Sequence, residues 1–251
     1  HLRVVPALLG WEDPGAAFSA VIQLGTLLAV LVYFAGDVCT MARAAARGMR
    51  SGRPWESQEA RLAWFIVIGT FPIGICGLAL KKHIEGGWRS LYVIAASLIL
   101  LGVLLWVAER LASFQKDLGQ IGWVESQLVG LAQAVALIPG SSRSGTTMTA
   151  AMLLGLTREA AARFSFLLGI PAIGAAGVFE LRELLKHGLS DAGFSTLVVG
   201  TLASVVSGYL AIDLLLRYLR RNTMYVFIWY RIALGLLLLT LLGAGVLKPL
   251  G

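Results

Sequence analysis

The chain has 251 residues, of which 57% are hydrophobic and only 14% are charged, and its mean hydropathy is +0.78. A soluble globular domain carries about 25% charged residues, so this composition excludes a water-soluble domain and predicts a polytopic helical membrane protein. The net charge of +7 does not indicate nucleic-acid binding, because membrane proteins carry Lys and Arg in their cytoplasmic loops.

Six apolar segments are long enough to cross a bilayer. In chain order they lie at residues 16–35, 62–80, 90–109, 164–181, 195–216 and 225–247. The polar loop after the first segment is rich in arginine, with Arg43, Arg47, Arg50, Arg53 and Arg61. The positive-inside rule places this loop in the cytoplasm. We therefore expect a multi-pass protein of the bacterial cytoplasmic membrane, with both ends of this chain on the outer side.

The segment 125–156 is apolar but does not fit as a span. Its first part, ESQLVGLAQAVALI, runs 14 residues before Pro139-Gly140, which is about 21 Å of helix. A hydrocarbon core is about 30 Å thick. A second short helix, from about Thr146 to Leu156, would return the chain to the same side. The pattern predicts a re-entrant helix–loop–helix whose loop lies near mid-membrane, where irregular backbone is tolerated only beside protein or a wet cavity.

Two pairs of segments indicate an internal repeat. AAFSAVIQLG at 16–25 resembles ARFSFLLGIP at 162–171, and VIGTFPIGICG at 67–77 resembles VVGTLASVVSG at 198–208. The interpretation is a single membrane domain, 1–251, with three spans in each of two inverted repeats, 1–115 and 116–251. Such folds place their site near the midplane between the repeats. The repeat also predicts a partner hairpin of about 25 to 30 residues upstream of His1.

The loop between the two short helices carries groups that suit an oxyanion. Gly140 and Gly145 allow tight turns and close approach of the backbone to a ligand. The free N–H groups of a helix starting after Gly145 would favour an anion, and Arg143 offers a forked cation for phosphate oxygens. The loop hydroxyls belong to Ser141, Ser142, Ser144, Thr146 and Thr147. The pattern predicts a phosphate site, and the alternative is a Ser/Gly-rich helix-packing turn.

These motifs resemble a known family. LIPGSSRSGTT, together with EAAARFSFLLGIPA at 159–172 and YRIALG at 230–235, is similar to the undecaprenyl-diphosphate phosphatase family of the integral-membrane, bacitracin-resistance type, along essentially the whole chain. The resemblance implies hydrolysis of the C55 isoprenyl diphosphate to its monophosphate and inorganic phosphate. This reaction recycles the lipid carrier for peptidoglycan and confers bacitracin resistance.

The resemblance also implies roles for individual residues. Arg143 and Ser142 would act on the diphosphate directly, and His1 would serve as general acid/base or as the nucleophile. The residues implied to bind phosphate are Gly140, Ser141, Ser144, Gly145, Thr146 and Thr147. The attacking group stays open between the histidine, a serine of the family's first loop and metal-activated water.

The family's first motif is a Glu-x-x-x-Glu helix that leads into Pro-x-Ser-Ser-x-Gly-His. Only its final histidine has a counterpart here, as His1. The resemblance implies a divalent metal, Mg or Ca, whose glutamate ligands would lie upstream of His1, so no metal ligand is expected in this chain. The expected partners are a polyprenyl diphosphate lipid, the bilayer and a second copy of the chain in a homodimer, without nucleic acid.

Two other readings of the chain remain. A membrane transporter or flippase for a phosphorylated lipid is the main alternative, since inverted repeats with re-entrant loops are common in transporters. A structural membrane scaffold would leave the polar loop unexplained.

Two other charged positions are expected to be structural. We expect Arg231, within the last span, to pair inside the helix bundle, and we expect Asp213 to pair with Arg217 one helical turn later.

Overall fold

The computed structural model describes residues 4–11, 15–187 and 191–249, so His1 lies outside the described residues. Within these ranges the chain forms α-helices and short 3-10 turns, without a β-strand. The helices are α1 (Val4–Leu9), α2 (Gly15–Tyr33), α3 (Ala35–Arg50), α4 (Gln58–Ala79), α5 (Lys81–Glu85), α6 (Leu91–Leu111), α7 (Trp123–Val135), α8 (Arg143–Leu153), α9 (Arg158–His187), α10 (Asp191–Leu219) and α11 (Tyr225–Gly243).

Five stretches of helix are long and apolar enough to cross a membrane. They are α4, α6, Arg158–Phe179 of α9, Val198–Leu219 of α10, and α11. A sixth span results if Ile22–Tyr33 and Ala35–Arg50, which meet at 78°, are counted as one. The predicted all-α polytopic class is therefore confirmed, whereas the inverted repeat and its two units remain a prediction.

The first part of the arginine-rich stretch, with Arg43, Arg47 and Arg50, is a helix, α3, and not the loop that the sequence suggested. Met41, Ala44 and Gly48 are buried on one face of α3, while Arg43 and Arg47 are exposed on another. Apolar and charged residues at helical spacing make α3 amphipathic. The sequence prediction missed this helix because it looked for long apolar segments, and the apolar residues of α3 are interrupted at helical spacing by charged ones.

Pairs of spanning helices approach closely at glycines. A Cβ atom at Gly25 of α2 would collide with the carbonyl oxygen of Thr201 in α10, and one at Gly130 of α7 would collide with Gly69 of α4. A Cβ atom at Gly235 of α11 would likewise meet α6. Small residues at helix crossings are typical of membrane bundles, where close packing replaces the hydrophobic effect as the source of association. The hairpin helix α7 is thus held directly against a spanning helix.

The hairpin formed by α7 and α8 enters and leaves at one end of the bundle. The backbone amides of Gln115 and Lys116, before α7, both donate to the carbonyl oxygen of Gly155, after α8, at 2.9 Å. The amide of Thr157 donates in return to the carbonyl oxygen of Lys116 at 2.9 Å. The two ends of the hairpin are therefore tied together, as a re-entrant segment requires.

The same end of the bundle is held by a buried ion pair. Glu109, at the end of α6, is 6% exposed; its carboxylate binds Arg158 of α9 and accepts a hydrogen bond from the amide of Met224 at 3.4 Å. The guanidinium of Arg158 also lies 3.9 Å from the centre of the Phe114 ring. This cluster joins α6, α9 and the start of α11. We call this end of the bundle, where α6 ends and α7, α9 and α11 begin, the basic end.

Further ion pairs lie at the basic end. They are Arg163–Asp37 at 2.7 Å, Arg220–Glu159 at 3.0 Å, Lys116–Glu125 at 2.6 Å and Arg217–Asp213 at 2.9 Å. The last of these confirms the expected helical pair. The hydrogen bond from Lys116 lowers the pKa of the Glu125 carboxyl at the start of α7. Each acidic side chain of these pairs is thus matched by a basic one.

We expect Glu109→Gln to destabilise the protein strongly. The variant leaves Arg158 half-buried without its carboxylate, and breaking a buried pair costs about 3 kcal/mol. Thermal unfolding in detergent measures the loss. Arg217→Gln is the control, because it breaks an exposed pair worth about 1 kcal/mol or less. Equal decreases in Tm for the two variants would contradict this ranking.

Candidate active site

The loop that joins α7 and α8 depends on two residues with positive φ. Gly140 has a φ of +90°, and a Cβ atom there would lie 2.7 Å from the carbonyl oxygen of Ile94 in α6, so only glycine fits. Ser142 has a φ of +63° and caps α8, its Oγ accepting from the amide of Gly145 at 3.2 Å. The helix therefore begins at Arg143, earlier than the predicted Thr146.

The loop extends from the middle of the bundle towards the end opposite the basic end. The Arg143 guanidinium packs on Gly169, where a Cβ atom would lie 3.1 Å from its central carbon. Gly169 lies about 16 Å along α9 from Arg158, or about half the thickness of a hydrocarbon core. Gly140 lies beside Ile94, one turn from the start of α6. Arg143 thus lies near the middle of the spanning part of α9, and the loop tip lies beyond it.

A second arginine contacts this loop from α11. Arg231 is 8% exposed, and its Nη2 donates to the carbonyl oxygens of Ser141 at 3.0 Å and Gly140 at 3.3 Å. A Cβ atom at Gly145 would lie 2.9 Å from its Nη1. We expected Arg231 to pair inside the bundle, but it forms no ion pair with any described residue. Its partners are backbone carbonyls about 90 residues away in the chain, which no sequence pattern indicates.

The two arginines carry charge that the described residues do not balance. Neither Arg143 nor Arg231 lies within ion-pair distance of a described carboxylate, and the Nε of each is buried without a hydrogen-bond partner in that part of the chain. A buried charge without a counter-ion is expensive, and an arginine at membrane depth is a functional residue by default. The arrangement is therefore suited to an anion that carries more than one negative charge.

Two of the threonines implied in phosphate binding support the loop from behind. Thr146 and Thr147 are buried, and each Oγ1 donates to the carbonyl oxygen of Arg143 at 2.9 Å. The hydroxyl of Thr147 also lies 2.6 Å from that of Ser165 on α9. These bonds fix the first turn of α8 and the backbone that carries the Arg143 side chain. In this structure both threonines are occupied by contacts within the protein.

The serines of the loop differ in exposure. Ser141 is buried, Ser142 is exposed and Ser144 is half-buried. The structure therefore brings Ser142 and Ser144 to the accessible side of the loop together with the amide groups at the start of α8. His1, the remaining catalytic candidate, lies outside the described residues, so its distance to the loop is not defined.

Sequence reasoning missed one polar residue of the hairpin. Gln133 of α7 is fully buried, and neither atom of its amide has a hydrogen-bond partner among the described residues. Its helix neighbours Ser126, Val129 and Gly130 are buried on the same face. The sequence did contain a signal for this residue. Gln133 is a long polar side chain at a helical spacing where the other positions hold small or apolar residues.

The described residues do not fit a metal centre. Within the described ranges, no group of three or more His, Cys, Asp or Glu side chains is close enough to hold a metal ion. Serines, threonines and arginines line the loop, and arginine is not a metal ligand. We therefore assign no chemical step to a metal.

Comparisons with known proteins identify a family for this chain. The family model described as bacitracin resistance protein BacA matches residues 1–237. A curated relative named undecaprenyl-diphosphatase, from Myxococcus xanthus, is 54% identical over 250 residues, which cover 100% of this chain and 84% of the relative.

Relatives from two Chlorobium species carry the same name. The undecaprenyl-diphosphatase of Chlorobium phaeobacteroides strain BS1 is 50% identical over 256 residues, and that of Chlorobium phaeovibrioides is 51% identical over 257 residues. Each alignment covers 99% of this chain and 91% of the relative. With a family model matching almost the whole length and relatives at about half identity, the chain belongs to the bacitracin resistance protein BacA family.

Proposed function

We propose that the loop between α7 and α8 binds the diphosphate group of undecaprenyl diphosphate, and that the protein hydrolyses this lipid to undecaprenyl phosphate and inorganic phosphate. The observation that carries the proposal is the meeting of Arg143 and Arg231 at one loop, without a described carboxylate to balance either charge. The names of the curated relatives support the same reaction. Hydrolysis recycles the lipid carrier for peptidoglycan synthesis and underlies bacitracin resistance.

The chemistry follows from where charge develops. Overall, the terminal phosphorus gains a bond to the oxygen of a water molecule and becomes inorganic phosphate, while its bond to the bridging oxygen breaks. The electron pair of the broken bond stays on the oxygen of the departing lipid monophosphate, and the protons of the water pass to the products or to solvent. Phosphoryl transfer needs mainly positioning and charge neutralisation. Arg143 supplies a forked donor for phosphate oxygens at the start of α8, where N–H groups also point to the ligand. Ser142 and Ser144 add hydroxyl donors on the accessible side.

Arg231 acts on the loop from behind. Its two bonds to the carbonyl oxygens of Gly140 and Ser141 use up acceptors that would otherwise repel an anion, and they fix the turn before Ser142. Its positive charge adds to that of Arg143 at the same loop. We assign Arg231 to positioning the loop and to neutralising charge, and we assign direct contact with the substrate to Arg143.

The proposed location is the cytoplasmic membrane of a bacterium, with the site open to the outer side. The positive-inside rule supports this orientation, because the arginines of α3 lie between the first two spans at the basic end. The loop tip lies in the opposite half of the bundle, beside Ile94. A diphosphate headgroup could therefore enter from the outer leaflet while its prenyl chain stays in lipid.

The proposal includes three further expectations that come from the resemblance. His1 remains the proposed general acid/base or nucleophile, and a divalent metal held by upstream glutamates remains a proposed cofactor. A homodimer also remains a prediction. The names of the relatives favour the phosphatase over a transporter or flippase.

We expect Arg143→Ala to reduce kcat/KM for a long-chain prenyl diphosphate by at least about 10³-fold, since an arginine that stabilises phosphoryl transfer is worth that much. Phosphate release by purified protein in detergent measures the effect. Arg143→Lys should recover only part of the activity, because lysine lacks the fork. Arg221→Ala, at an exposed arginine of the basic end, is the control and should be active. Turnover by Arg143→Ala like that of the wild type would refute the site.

Replacing Arg231 should affect both the loop and the reaction. We expect Arg231→Met to lower kcat/KM by about 10- to 100-fold, since it removes two charge-assisted bonds to the loop carbonyls and one positive charge. Arg231→Lys keeps the charge but not both bonds, so its activity should lie between that of Arg231→Met and the wild type. Tm, measured in parallel, separates loss of fold from loss of activity. Full activity in Arg231→Met would show that the loop needs no support from α11.

A further inference from the structure

Gln133 is a buried polar side chain of the hairpin, and the proposed mechanism does not use it. Its side chain is fully buried, and both the oxygen and the nitrogen of its amide lack a hydrogen-bond partner among the described residues. Leaving both groups of an amide unbonded opposes folding, so buried amides are nearly always satisfied by protein, water or a ligand. A residue of this kind in α7 therefore requires a partner that the described part of the chain does not provide.

The packing around α7 gives the level of Gln133 in the bundle. Gly130, one turn earlier in α7, lies against Gly69 of α4. The side chain of Leu168 in α9 also contacts Gly69, since a Cβ atom on Gly69 would lie 3.3 Å from it. Gln133 is about 4.5 Å further along α7 in the direction of the loop. It therefore lies about one turn beyond the level of Leu168.

That level is within about 3 Å of Gly169, which lies about 1.5 Å beyond Leu168 along α9 and marks the level of the Arg143 guanidinium. Gly169, the residue after Leu168, is the glycine on which Arg143 packs. Arg143 and Gln133 belong to the two helices of one hairpin, and these helices pack against each other. The Nε of Arg143 is also buried without a partner among the described residues. Unbonded polar groups therefore occur on both helices of the hairpin at one depth.

We propose that Gln133 is a further diphosphate-binding residue of this site. Its amide nitrogen donates a hydrogen bond to a phosphate oxygen of the bound lipid, and its amide oxygen accepts one from a water beside the same phosphate. This inference rests on the proposed function, because it takes the diphosphate group as the ligand. An amide is suited to the task, since it offers a donor and an acceptor without adding charge next to Arg143.

The competing explanation is that Gln133 holds only an internal water and serves the fold. The two explanations predict different effects on catalysis when Gln133 is replaced by leucine, an apolar side chain of similar size. Leucine at a site that only holds water leaves catalysis unchanged. Leucine at a site that binds phosphate removes a donor to a charged group, which weakens both turnover and the binding of a diphosphate analogue while the fold persists.

The experiment compares Gln133→Leu, Gln133→Glu and the wild type, with Gln127→Leu as a matched control. Gln127 is a glutamine of the same helix whose amide bonds to Ser126, further from the loop. Two quantities are measured in detergent: kcat/KM for release of phosphate from farnesyl diphosphate, and the rise in Tm on adding methylenediphosphonate, in which carbon replaces the bridging oxygen.

We expect Gln133→Leu to unfold at or above the Tm of the wild type without ligand, yet to lose about 10- to 100-fold in kcat/KM and most of the Tm rise with methylenediphosphonate. Gln133→Glu keeps the shape but adds a negative charge, so it should show the larger loss. Gln127→Leu should match the wild type in both measurements.

The proposal is overturned if Gln133→Leu folds and keeps kcat/KM within about twofold of the wild type, as a water-holding residue would. If the leucine variant does not fold, Gln133→Glu decides. A normal Tm rise with methylenediphosphonate in that variant also overturns the proposal. These results differ from a failure of the proposed function, because in that case the wild type itself would release no phosphate.

Discussion

Two positive charges are buried in the middle of this membrane protein without described acids to balance them, and the proposed site depends on both. Arg143 packs on Gly169 in the centre of the bundle, and Arg231 reaches the same loop from α11 to bind two carbonyl oxygens. Charges in a low-dielectric interior need a partner. A diphosphate would supply that partner, and this is the reason for our proposal that the loop, its glycines and its helix start bind such an anion.

The rest of the fold keeps this site in place and separates it from the other charges. Ion pairs at the basic end, of which Glu109–Arg158 is the most buried, connect α9 to α6, to α3 and to the end of α10. The hairpin starts and finishes there and carries its loop away from those acids. Close helix packing at Gly69 and Gly130 then fixes the depth of α7. Ion pairs thus stabilise the basic end, while Arg143 and Arg231 lie at the loop without a described carboxylate beside them.

Much of the fold followed from the sequence, because membrane thickness is a strict constraint. Segments of about 20 apolar residues had to span, and the interrupted segment 125–156 had to return. Arg143 was also identified from the sequence, because an arginine within an apolar hairpin needs a functional explanation. The early start of α8 was missed because Ser142 adopts a positive φ, which serine seldom does. The contacts of Arg231 and the burial of Gln133 were missed because they depend on how distant helices are rotated against one another.

The most direct test is an experimental structure of the protein with a non-hydrolysable diphosphonate analogue of its prenyl lipid. The account predicts density for the diphosphonate at the loop between α7 and α8, with its oxygens within about 3 Å of the Arg143 guanidinium and the prenyl chain leading into lipid. Diphosphonate density at another place, with the Arg143 side chain unliganded or paired with a carboxylate, would contradict it.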